Sequence, residues 1–174
     1  AVIITSDKSY KNLEINRGYK EDDLLGGDDP YSGSKGAAEL IINSYYKSII
    51  KFKKNLSINI ARAGNVIGGG DWSKDRVIPD CVKSWSKNKV VKIRNPNSTR
   101  PWQHVLEVIR GYLQCAVLGK KYSKKINGEV FNFGPRINQN KSVKELVKEM
   151  RKNWSKVKWQ IKRDKGRKKE SKLL

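Results

Sequence analysis

DDPYSGSKGAAEL, Asp28 to Leu40, contains a helix start. Asp29 can accept from the unpaired N–H groups of a first turn, and the ring of Pro30 already fixes the φ that turn needs. The helix is expected to run on through YSGSKGAAELIINSYYKSIIKF, residues 31 to 52. Ala38, Ile41, Ile42, Tyr45 and Ile49 recur on it at helical spacing, as a core-facing stripe would. Tyr31 and Lys35 stand one turn apart on one face. A phenol beside an ammonium can have a lowered pKa and act as a base near neutral pH.

Outward from this helix, strands and helices alternate. AVIITS, residues 1 to 6, is a continuous β-branched run of the kind covered on both faces of a sheet. It ends in the polar cluster Ser6, Asp7 and Lys8, and residues 9 to 30 read as loop, with GGDDP as a breaker. After the helix, NLSINIARAGNVIGGGDW reads as a second strand entering a glycine-rich turn. RVIPDCVKSWSKN reads as a short helix, VVKIRNP as a strand closed by Asn-Pro, and RPWQHVLEVIRGYLQCAVLGK as a helix with Val105, Ile109, Tyr112, Leu113 and Ala116 on one side. GEVFNFGP is a further strand. KSVKELVKEMRKNW is an amphipathic helix through Val143, Leu146, Val147, Met150 and Trp154, and VKWQI alternates before a basic tail. This order predicts an α/β fold with a mostly parallel sheet. Residues after Gly64 have shorter strands and are expected to form a smaller lobe.

Bulk composition narrows the class. The 174 residues suffice for one domain with a core, and 37% hydrophobic residues read as globular. No run is long and apolar enough to span a membrane. Cys81 and Cys115 lie far apart without zinc-type spacing, so two buried thiols in a reducing compartment, the cytoplasm, are expected. The lone His104 argues against a multi-histidine metal site, and no metal is expected. Lys+Arg 38 against Asp+Glu 17 leaves +21, which invites a nucleic-acid reading. The cations are scattered, however, and thicken only in IKRDKGRKKESK, with no zinc finger or RRM-type signature beside them. A nucleic-acid partner is therefore not expected, and an anionic small substrate would be drawn to the same field.

Lysine is so frequent that chance alone gives about one Tyr-x-x-x-Lys among the chain's tyrosines. Context gives the pair its weight. In open parallel sheets ligands sit outside the carboxyl ends of the strands, where both TSDK and NVIGGG fall. Asp7 and Lys8 are otherwise a solvated turn. Gly68 to Gly70 are either a flexible loop or a turn that brings backbone N–H groups to a phosphate. Arg94 and Arg100 flank a turn and could clamp a diphosphate, or simply carry surface charge. Trp72, Trp85 and Trp102 read as packing residues rather than base-stacking platforms.

TSDK, DPYSGSKGAAEL, ARAGNVIGGGDW with DRVIPDCV, and RNPNSTRPWQHVLE together resemble the CDP-glucose 4,6-dehydratases, extended short-chain dehydrogenase/reductases acting on nucleotide sugars. The resemblance runs over nearly the whole chain. It implies the C-terminal half of a Rossmann-type doubly wound parallel sheet (within residues 1–64, and completed by interleaved later segments) plus a nucleotide-sugar lobe in residues 65–174. It implies NAD as cofactor and Tyr31 as the redox base, with Lys35 lowering its pKa and holding the nicotinamide ribose. Ser6 would bond the same sugar oxygen, Asp7 would be the acid for the departing 6-OH, and Lys8 would take the C5 proton. An Asp-Glu pair does this elimination in related dehydratases, so Lys8 is a departure. Asn65, Arg76, Arg94 and Arg100 would contact the sugar diphosphate or the base, and Val77, Ile78 and Pro79 would line the nucleotide pocket. CDP-glucose is the implied substrate, and a homodimer through the Tyr31 helix the implied assembly.

A larger departure is the glycine-rich strand-turn-helix that holds the NAD pyrophosphate in this family, which is not in the sequence. The chain therefore reads as the middle of a longer enzyme, with AVIITS left as an open apolar sheet edge and activity of the isolated chain not expected. A nucleotide-sugar 4-epimerase would share Tyr31 and Lys35 but needs no acid at Asp7. A basic nucleic-acid-binding module is the rival from another class.

Overall fold

The computed structural model describes residues 1–161, except for the Ile137 side chain. The basic run from residue 162 onward lies outside the described residues. Strand β1 (Val2–Ile4) leads through a short 3-10 turn (Asp7–Ser9) and a long loop to helix α1 (Pro30–Ser48). Asp29 caps α1 as expected, its Oδ1 accepting from the N–H groups of Tyr31 and Ser32. A second 3-10 turn (Ile50–Phe52) follows, so α1 ends one turn earlier than the apolar spacing suggests.

Strand β2 (Asn59–Ala63) is buried along its whole length, and β3 (Val66–Ile67), α2 (Val77–Trp85), β4 (Val91–Ile93), β5 (Thr99–Arg100) and β6 (Gln103–His104) come next. Helix α3 (Val105–Lys121), α4 (Ser123–Ile126), β7 (Val130–Phe133), β8 (Lys141–Ser142), α5 (Val143–Asn153) and β9 (Trp159–Ile161) complete the described chain. The main sheet is parallel throughout, in the order β1-β2-β7, with Ile3 opposite Ile60 and Ala61 opposite Phe131. β3 pairs with β6 and β4 with β9, both parallel, while β5 and β8 are antiparallel.

Three expectations about burial are corrected. β1 is an edge strand with one neighbour among the described residues, as the open-edge reading expected, but its faces are not both covered: Val2 and Ile3 are half-buried and Ile4 is 57% exposed. On α1 the buried positions are Ser32, Gly36 and Glu39, while Ile41, Tyr45 and Ile49 face outward. α3 is turned in the same sense. It buries Val108, Gly111, Cys115 and Gly119, whereas Ile109 and Leu113 are exposed. At Gly111 a Cβ would stand 2.3 Å from the Phe133 ring, so the helix lies closer to β7 than any larger residue permits.

The smaller core lies between α2, α5, β4 and β9. Cys81, Trp85, Val91, Ile93 and Val147 are buried together, with Val143, Met150 and Trp154 packed against them. This bears out the stripe read on α5. Ser142 and Glu145 close a capping box at its start. Both cysteines are buried and free, and burial pushes the Cys81 thiol up to about 12. Among the described residues no helix is long and apolar enough to cross a membrane, and no group of metal-ligating side chains gathers.

Candidate active site

The carboxyl ends of β1 and β2 bring two recesses together. After β1, Ser6 caps the 3-10 turn: its Oγ accepts from the Lys8 N–H at 3.2 Å and donates to Asp7 Oδ1 at 2.9 Å. Asp7 and Lys8 line a recess of about 250 Å³ together with Tyr10, Asp29 and Ser32. Burial pushes the Asp7 carboxyl above its ordinary range, outweighing the Ser6 hydrogen bond and the nearby charges of Lys8 and Arg100. Asp29 goes the other way, its carboxyl held low by the hydroxyl and N–H of Ser32. After β2 the chain passes Gly64, where a Cβ would lie 3.1 Å from Asp7 Oδ2. The absent side chain lets the acid sit directly beside the strand that enters the second recess.

That second recess is a cleft of about 390 Å³, walled by the segment from Asn65 to Asp71, the first turns of α2, and the β4–β6 region. It gathers every substrate-contacting residue expected from the sequence: Asn65, Arg76, Val77 to Pro79, Arg94 and Arg100. Arg94 is fixed by Asp75, Nη2 to Oδ1 at 3.1 Å. Gly68 to Gly70 line the same cleft, as does Trp72. Of the three tryptophans read as packing, Trp85 is wholly buried and Trp102 half-buried, but Trp72 is 58% exposed at the cleft.

Tyr31 and Lys35 line neither recess. They stand on the first turns of α1, Tyr31 55% exposed, with Lys35 Nζ 5.7 Å from the phenol ring centroid. The helix that carries them is held to Thr5, the residue before Ser6, by a buried network that the sequence reading did not single out. Glu39, two turns beyond Tyr31 and one beyond Lys35, accepts from Thr5 Oγ1 at 2.6 Å. Its two carboxylate oxygens also accept from Arg62 Nε at 2.8 and 2.9 Å, and Arg62 Nη2 adds a further bond. Arg62 Nη1 donates to the Tyr10 hydroxyl at 2.6 Å, which donates to Asn132 Oδ1 at 2.8 Å. Glu39 and Arg62 are almost fully buried. The signal for this pair was a charged residue in the centre of the apolar strand NIARA, answered by a glutamate on the Tyr31–Lys35 side of the helix. The lone His104 has a structural task, its Nδ1 accepting from the Leu106 N–H at the start of α3.

The arrangement holds a carboxyl of raised pKa at a strand end, a tyrosine–lysine pair on the adjoining helix, and an arginine-rich cleft. A model of the NAD dependent epimerase/dehydratase family matches residues 2–134. CDP-glucose 4,6-dehydratase of Salmonella typhimurium (strain LT2) is 47% identical over 161 residues, covering 88% of this chain and 44% of the Salmonella protein. dTDP-D-glucose 4,6-dehydratase of Dictyostelium discoideum is 29% identical over 134 residues, covering 75% of this chain and 30% of that protein. Among solved structures, dTDP-glucose 4,6-dehydratase from Bacillus anthracis in complex with NAD matches with a TM-score of 0.72 at 22% identity, over 99% of this chain and 50% of that one. UDP-glucuronic acid 4-epimerase from Bacillus cereus, in complex with UDP-glucuronic acid and NAD, matches at 0.74 and 22% identity, over 93% and 48%. These likenesses establish the α/β, Rossmann-type fold. The chain spans less than half the length of these curated relatives and about half that of the solved chains.

Proposed function

The chain belongs to the NAD dependent epimerase/dehydratase family, and from that membership we propose that it carries the catalytic and substrate-binding residues of a nucleotide-sugar 4,6-dehydratase acting on CDP-glucose. The identity with the Salmonella enzyme supports that substrate. The single observation that carries the dehydratase reading is Asp7. Its carboxyl is raised by burial and lies beside the entry to an arginine-lined cleft. A 4-epimerase moves only hydride and the 4-OH proton, whereas a dehydratase must also protonate a departing hydroxyl, a task that a raised carboxyl pKa favours.

Tyr31 and Lys35 fit the nicotinamide-ribose end of NAD, because they offer a hydroxyl and an ammonium side by side on an exposed helix face. Bound there, NAD supplies a hydride acceptor for C4 of the glucosyl group and a hydride donor for C6. Tyr31 Oη removes the 4-OH proton, with the Ser6 hydroxyl on the same oxygen. The 4-keto group acidifies C5, and Lys8 Nζ, acting from its neutral amine form, takes the C5 proton and becomes the ammonium while Asp7 protonates the departing 6-OH, releasing water. Lys8 returns the proton to C5 as C6 is reduced, leaving a 4-keto-6-deoxy sugar. Arg76, Arg94 and Arg100 hold the diphosphate, Asn65 adds a polar contact, and Val77 to Pro79 form the nucleotide wall. A dimer through the outward face of α1 accompanies this reading.

The test uses these residues within the complete enzyme, which carries the glycine-rich NAD-binding segment as well: it is incubated with CDP-glucose and NAD, and the sugar product is weighed by mass spectrometry. Loss of one water is expected, and Tyr31→Phe should lower the rate by about 10²- to 10⁴-fold. A product of unchanged mass that is the 4-epimer would overturn the dehydratase assignment.

A further inference from the structure

We infer that Trp72 is the platform on which the pyrimidine base of the nucleotide stacks, an inference that rests on the nucleotide-sugar reading above. Trp72 follows the Gly68–Gly70 turn and leaves 58% of its surface exposed while lining the arginine-rich cleft. An exposed indole on a cleft wall offers a flat apolar face on which a planar ring can stack. It is also held in place rather than left loose. Lys83 Nζ donates to the Trp72 carbonyl at 2.5 Å and lies 5.7 Å from the ring centroid, a cation–π contact reaching out from α2. Asp71 Oδ1 accepts from the Ser73 N–H at 3.0 Å, a bond between the two residues that flank Trp72. Trp102, the other aromatic of the cleft, is half-buried and commits its Nε1–H to the Lys141 carbonyl at 3.1 Å. Trp72 is thus the exposed, pre-positioned aromatic surface in a cleft whose arginines suit a diphosphate.

Stacking recognises the flat face that every base has, so Trp72 supplies affinity for the nucleotide without choosing its identity. The inference is tested by calorimetric titration of wild type, Trp72→Ala and Trp72→Phe with CDP, UDP and inorganic diphosphate. Trp72→Ala should weaken CDP and UDP alike by about 5- to 150-fold, the range that base–aromatic stacking gives. Inorganic diphosphate has no base, and its affinity should be the same in all three proteins. Trp72→Phe should recover part of the nucleotide affinity. If Trp72→Ala binds CDP as wild type does, the stacking role is overturned and the cleft assignment stands. Equal losses for CDP and diphosphate make Trp72 a prop of the cleft and also overturn it. A wild-type protein that binds CDP no more tightly than diphosphate removes the base site itself, and with it the nucleotide reading.

Discussion

At the scale of single residues, Asp7 couples chemistry to stability. Burial raises its carboxyl, so the folded protein prefers the protonated form more strongly than the unfolded chain does. Its contribution to stability is therefore fully present below the ordinary aspartate range and is lost as pH rises through the raised value. Asp7→Asn mimics the neutral acid and should be more stable than wild type at pH 7, with the difference closing below about pH 3.9. Denaturant melts at the two pH values read this out. In the complete enzyme the same variant should stall elimination, lowering 4-keto-6-deoxy product by about 10²- to 10⁴-fold while C4 oxidation persists. An unchanged rate, or a variant less stable at pH 7, would remove Asp7 from the role. Lysine abundance made the pair of Tyr31 and Lys35 ambiguous in sequence, and its meaning came from the neighbouring motifs TSDK and GNVIGGGDW rather than from the pair itself.

At the scale of elements, order and boundaries were largely legible in sequence, but the faces were not. Asp29-Pro30 marked the start of α1, and β1 and β2 lie within the AVIITS and NLSINIARAG stretches read as strands. The inward faces of α1 and α3 were misread for one physical reason. Ser32, Gly36 and Glu39 on α1, and Gly111 and Gly119 on α3, make contact through close approach and a buried ion pair, which no hydrophobic periodicity reports. In the candidate site, Arg94 and Arg100 were legible as a pair flanking a turn, whereas Asn65, Arg76 and Val77 to Pro79 were reached only through the family resemblance. The Glu39–Arg62 pair was not legible, because its partners lie on different elements. Glu39→Ala leaves Arg62 buried without its carboxylate and should cost about 3–5 kcal/mol in urea melts. Gly111→Ala forces a Cβ into the Phe133 ring and should cost about 1–3 kcal/mol. If either variant melts with wild type, the packing account of that helix fails.

At the scale of the whole molecule, the same geometry leaves α1 with apolar side chains turned outward. Leu40, Ile41, Tyr45 and Ile49 are all exposed on it, with Phe52 just beyond its end. Contiguous exposed apolar surface of this kind marks association in soluble proteins, and a homodimer through α1 is the form proposed here. Charge opposes it, since two copies bring +21 each. Their repulsion is long-range and screened over a Debye length of about 8 Å at 0.15 M salt, while apolar burial is not weakened by salt. Dimerisation should therefore strengthen as salt is raised, opposite to a contact made of ion pairs. Sedimentation of wild type across a salt series should show a rising dimer fraction, and Ile41→Lys should hold the protein monomeric throughout. α3 provides the control, because Leu113 is equally exposed on a different helix. Leu113→Lys should leave the α1 dimer intact. Dissociation by Leu113→Lys but not by Ile41→Lys would move the interface to α3, and a wild-type monomer at every salt concentration would leave α1 without a second copy to cover it.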